Sequence, residues 1–130
     1  MRRLMLSVPF AFLAACYGDE TISGYADPEA VWVLAELNGT TFSERATLAF
    51  PEEGKIAGEA PCNRYFGEQT APYPWISIER IGATKRACSA MSEEIAFLNA
   101  LGQMTLAEVA GGTLILSNEA GGEMVFRRQP

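Results

Sequence analysis

From residue 31 to the C-terminus, apolar residues recur at a period of two, and the runs are cut by turn signals at short spacing. Such alternation turns one face of each segment to a core and the other to water, which confines the chain to antiparallel β structure with tight connections. Residues 31–37 form the first expected strand, ended by Asn38-Gly39, a dipeptide suited to a two-residue hairpin because both positions tolerate positive φ. Residues 47–50 and 55–59 flank a turn at Pro51-Glu52-Glu53-Gly54. Residues 75–80 alternate, with Ile76 and Ile78 on one face. Residues 104–110, 113–117 and 123–127 form a closing meander. One stretch differs: Ile95, Leu98 and Leu101 in residues 92–102 have helical spacing, with Ser92 as N-cap, Glu93 and Glu94 in the first turn and Gly102 at the end. About seven strands and one helix predict a mainly β (α+β) domain, a curved antiparallel sheet or small barrel packed by the helix. At 130 residues there is room for one such domain, placed here at residues 30–130.

The first sixteen residues, MRRLMLSVPFAFLAAC, have a different build. Arg2 and Arg3 precede an uncharged, mostly apolar run that is too short to span a bilayer stably, and Ala14 and Ala15 follow. This is the pattern of a secretory signal peptide over residues 1–15, and Pro9 argues against a buried N-terminal helix. Leu13-Ala14-Ala15-Cys16 resembles the bacterial lipobox. The resemblance implies cleavage before Cys16, a diacylglyceryl thioether on its thiol and acylation of the new amino terminus; two or more acyl chains anchor a protein stably. Tyr17 stands where Asp would signal inner-membrane retention, which points to the periplasmic face of the outer membrane. Plain cleavage after Ala15, leaving a free Cys16, is the alternative. Residues 17–29 are polar and aperiodic and read as a tether which, fully extended, reaches at most about 45 Å.

Three cysteines in an exported chain leave one to be explained. If Cys16 carries lipid, Cys62 and Cys88 remain as an even pair. They form either a disulfide, whose loop closure is worth about 3–4 kcal/mol, or two buried thiols. Without Arg2 and Arg3 the chain has 8 basic against 16 acidic side chains, a net of −8. A protein that neutralises the phosphates of a nucleic acid is not built this way. The chain has no His, which removes the usual general base and the commonest metal ligand, and with them Ser-His-Asp and Cys-His catalysis. Neither a CxxC nor a phosphate-binding glycine loop occurs. Glu52-Glu53 and Glu93-Glu94 are read as a solvated turn and a helix first turn rather than a paired-carboxylate hydrolase, and Lys85-Arg86 as a solvated loop rather than an anion site. The expectation is a non-enzyme without cofactor or metal.

The order of signals resembles the META domain family, and within it the HslJ-like heat-inducible lipoproteins. Trp32-Val33-Leu34 and Asn38-Gly39 open the pattern; Phe50, Gly58 and Cys62-Asn63-Arg64-Tyr65-Phe66-Gly67 continue it. Ile78, Ile81 and Thr84-Lys85-Arg86-Ala87-Cys88 come next, followed by Glu94, Phe97, Leu98 and Leu101, then Leu114, Leu116 and Phe126. Pro61 departs from the family's Gly before the first Cys, and Glu68-Gln69-Thr70 from its aromatic.

The resemblance implies a non-catalytic accessory role in envelope stress or integrity and supplies no reaction. Asn63, Arg64 and Tyr65 have two readings: a structural corner, in which Asn63 bonds the turn backbone and Tyr65 packs beneath, or a recognition edge. Trp75 is either a contact residue or core. The expected partners are the membrane, through the lipid, and an envelope protein. The alternative function is inhibition of an envelope hydrolase such as a lysozyme or protease, toward which the acidic charge would steer a basic enzyme.

Overall fold

The computed structural model describes residues 18–130, together with Met5 and Ser7; the expected signal peptide over residues 1–15 and the expected lipidation site, Cys16, lie outside the described residues. Among the described residues there are nine strands and one α-helix. The strands are β1 (Trp32–Leu37), β2 (Thr40–Thr41), β3 (Thr47–Leu48), β4 (Gly54–Glu59), β5 (Arg64–Gln69) and β6 (Ile78–Ala83), then, after helix α1 (Met91–Gln103), β7 (Leu106–Ala110), β8 (Thr113–Ser117) and β9 (Glu123–Arg128). All pairings are antiparallel. One sheet runs β2-β1-β9-β8-β7 with β3 also on β1, and the other runs β4-β5-β6.

The expected mainly β architecture with one packed helix is what the chain adopts. The curved sheet is split in two and does not close into a continuous barrel. Isolated bridges join the sheets at two corners, Ala49 to Ala57 and Trp75 to Leu106. The Asn38-Gly39 hairpin forms as expected: both residues take positive φ, 50° and 79°, and Glu36 and Leu37 pair with Thr41 and Thr40. The core lies between the sheets and under the helix, built on Trp32, Leu34, Leu48, Phe50, Tyr65, Phe97, Leu114, Leu116 and Phe126.

Three expectations are corrected. Residues 64–69, given no strand in the sequence reading, form the central strand of the smaller sheet, because Tyr65, Gly67 and Gln69 all turn inward. The helix starts at Met91 with Ala90 and not Ser92 as its N-cap, and the Ser92 hydroxyl bonds the neighbouring Glu93 carboxylate instead. Its buried stripe is Glu94, Phe97 and Leu101, while Ile95 is 54% exposed.

The third correction concerns the tether. From Asp19 onward residues 17–29 are not a free linker but part of the domain. A short 3-10 turn, Ile22–Gly24, buries Ile22, and Ala26 and Ala30 join the same core. The Asp19 carboxylate caps this turn through the Thr21 N–H (2.8 Å) and the hydroxyls of Thr21 and Ser23. Partial burial works against its charge, but the hydrogen bonds from Ser23 and Thr21 outweigh it and hold the carboxyl below the usual range. Asp27 is likewise held low, by the Glu29 N–H and by the Arg128 guanidinium 2.7 Å away, which clasps the segment to β9.

Candidate functional site

Of the residues singled out in the sequence, Cys62, Asn63, Arg64, Tyr65 and Cys88 converge at one corner, where β4 turns into β5 and β6 runs into α1, whereas Trp75 lies at the separate joint with Leu106. Cys62 and Cys88 form the disulfide there, with Cα atoms 5.6 Å apart, which ties the start of β5 to the segment ahead of the helix. Asn63 is buried beside it and uses every hydrogen-bonding position of its amide. Nδ2 donates to the Arg86 carbonyl (2.9 Å) and to Glu94 Oε2 (2.7 Å). Oδ1 accepts from the Thr84 hydroxyl (2.9 Å) and the Arg86 N–H (2.6 Å). Its structural role is thus across the corner, to the loop after β6, rather than within its own turn.

Glu94 is the residue the sequence reading misplaced. Only 4% exposed, it is no part of a solvated first turn. Oε1 accepts the N–H groups of Cys62 (2.9 Å) and Asn63 (2.8 Å), and Oε2 accepts Asn63 Nδ2. A buried carboxylate is tolerated because three donors replace its water. The signal lay in the sequence: Glu94 stands three and seven residues before Phe97 and Leu101, on the same helical face.

Tyr65 belongs to the core and not to an exposed edge. Its ring meets Phe97 edge-to-face at 5.5 Å, and its hydroxyl donates to the Thr47 carbonyl. Burial pushes its phenol well above the ordinary tyrosine range. Gly58 makes room for it: a Cβ there would sit 2.2 Å from the Thr47 oxygen and 2.7 Å from the Tyr65 hydroxyl. Trp75, for which core packing was one expectation, is 57% exposed and pairs through its backbone with Leu106. Gln69, unremarked in the sequence, is buried and folds the turn after β5 by accepting the N–H groups of Ala71 and Ser77.

Over this corner lies a groove of about 470 Å³, lined by Arg45, Glu59, Cys62, Asn63, Arg64, Thr84 and Arg86 among others. Arg45 reaches Glu59 (3.4 Å) and Gln129 (2.8 Å). The Arg64 and Arg86 side chains are exposed and have no hydrogen-bond or ion-pair partner among the described residues. Arg45 carries no sequence signal and Thr84 only its place in the family motif; the pairing of β3, β4, β5 and β6 is what brings them to Arg64.

No curated protein matches the chain. Among solved structures, one determined by NMR for a protein from Burkholderia xenovorans is 22% identical and covers 99% of this chain and 95% of its own, with a TM-score of 0.60. A second protein solved by NMR is 18% identical with a TM-score of 0.59, covering 75% of this chain and 87% of its own. A DUF4847 family protein from Bacteroides vulgatus is 19% identical with a TM-score of 0.51, covering 65% and 61%. These likenesses concern the fold. The META domain profile matches residues 27–130, the stretch holding the disulfide, the Asn63–Glu94 network and both sheets; the chain belongs to the META domain family.

Proposed function

We propose that the chain is a lipid-anchored META-domain lipoprotein of the bacterial envelope, held by Cys16 on the periplasmic face of the outer membrane. Its role there is non-catalytic, in envelope stress or integrity, and is exerted by binding an envelope protein. The observation that carries this reading is the Cys62–Cys88 disulfide. It fits an oxidising compartment and leaves Cys16, at the end of the lipobox-like Leu13-Ala14-Ala15-Cys16, as the remaining thiol of three. The absence of His and the commitment of Glu94 to three hydrogen bonds support a scaffold rather than an acid–base centre.

The test is intact mass of the membrane-extracted protein, before and after reduction and alkylation. The expected result is loss of residues 1–15, added acyl mass, and Cys62 and Cys88 alkylated only after reduction. An unlipidated chain with Cys16 freely alkylated overturns the anchor and the localisation with it.

A further inference from the structure

In a chain with twice as many acidic as basic side chains beyond residue 15, three arginines line one groove. Arg45, Arg64 and Arg86 come from the approach to β3, the start of β5 and the loop after β6. The single carboxylate on the groove wall is Glu59, and it is engaged by Arg45 at 3.4 Å. Glu94 lies below, turned to the backbone of Cys62 and Asn63. Arg64 and Arg86 are left with five N–H donors each and no acceptor among the described residues.

Their backbones are unusually well held for surface positions. The Arg64 N–H donates to the Thr84 hydroxyl (3.2 Å), the Arg86 N–H and carbonyl are both bound by the Asn63 amide, and the disulfide closes the corner. Two arginines on a fixed backbone, with a third beside them, can gather round an anion with little backbone entropy lost, the ordering being confined to their side chains.

We infer that this groove binds a single phosphate group. One carboxylate is satisfied by one bidentate arginine, whereas a phosphate presents oxygens to several guanidiniums at once, the arrangement by which arginine clusters select phosphorylated ligands. The acidic remainder of the surface repels an extended polyanion, so the ligand carries one phosphate and is not a nucleic acid. The inference goes beyond the proposed function, adding a small anionic ligand to the envelope-protein partner named there. The anchor plays no part, so the mass measurement and the titration below fail separately.

The experiment is a titration of the full chain with inorganic phosphate at constant ionic strength, following the backbone amides of Arg64, Thr84 and Arg86 by NMR. Saturable shifts at these amides are expected. Arg64→Ala and Arg86→Ala should each weaken binding on the order of tenfold, and Arg127→Ala, outside the groove, should leave it unchanged. Arg64 and Arg86 are both exposed, and unchanged amides elsewhere will show that the variants fold. Glycerophosphoglycerol, a soluble phosphodiester headgroup, separates the sources. Binding equal to that of inorganic phosphate assigns the groove to a lipid headgroup; binding of inorganic phosphate alone assigns it to a free phosphate or monoester. Acetate binding as tightly as phosphate, shifts that never saturate, or indifference to both arginine changes overturns the proposal.

Discussion

Glu94 shows how a single side chain sets the register of an element. A carboxylate on a helix is ordinarily solvated, and placing it in the core is stable only because Cys62 and Asn63 present three N–H donors to it. Glu94→Ala orphans those donors and is expected to cost about 3 kcal/mol; Glu94→Gln turns an amide N–H toward a donor and costs about 1–2 kcal/mol. Urea unfolding midpoints check both, and losses near those of an exposed helix position would refute the network's importance. Asp19 makes a pH prediction. Its carboxyl is held below its usual value of 3.8, so its contribution is present above that pH and is lost as pH falls through the lower folded value. The stability gap between the wild type and Asp19→Asn should therefore shrink steadily as pH is lowered from 5 toward 2, by denaturation at each pH. Glu94 is legible only through its place on the Phe97–Leu101 face, because its donors at Cys62 and Asn63 are brought in by folding; the donors of Asp19 are local, at Thr21 and Ser23, but a polar run of that kind reads equally well as a solvated loop. Asn63 is partly legible: its polarity beside a cysteine marks a corner, although its side-chain partners, Thr84, Arg86 and Glu94, all lie far along the chain.

At the scale of elements, what the sequence displays is whatever local chemistry decides. The Asn38-Gly39 hairpin, β8 and the meander around Gly111-Gly112 follow from turn residues and alternation alone, and they sit as expected. The central strand β5 does not, because Arg64-Tyr65-Phe66-Gly67 has a glycine at an inward position and an exposed Phe66 at an outward one, which blurs its period. The helix face is misread for a similar reason: Ile95 outranks Glu94 on any hydrophobic scale, and only the buried hydrogen bonds reverse the order. The joint of β3, β4 and β5 is set by Thr47, Gly58 and Tyr65 together. Gly58→Ala forces a Cβ into that contact and is expected to cost about 2–3 kcal/mol, whereas Tyr65→Phe removes only its hydroxyl and costs about 1 kcal/mol. The double variant should lose less than the two losses added, since both act on one contact; simple additivity in a double-mutant cycle would refute this account of the joint.

For the whole molecule, the boundary of the domain is the main departure from expectation. Composition makes residues 17–29 look like a linker, because Ile22 and Ala26 are sparse apolar residues among polar ones. Their burial is decided by the shared core they join and not by any local pattern. Ile22→Ala is therefore expected to cost about 3 kcal/mol, while Ile95→Ala, which the sequence pattern would rank as the worse change, stays within about 0.5 kcal/mol; paired thermal melts decide between them. The same clasp bears on the proposed lipoprotein. Only Tyr17 and Gly18 separate Cys16 from Asp19, and three residue steps span at most about 11 Å. A domain moored that closely rides on the bilayer instead of swinging above it and keeps one side turned to the lipid. Its encounters with membrane-held partners are then a search along a plane, in which the orientation for docking is already partly set before the two molecules touch.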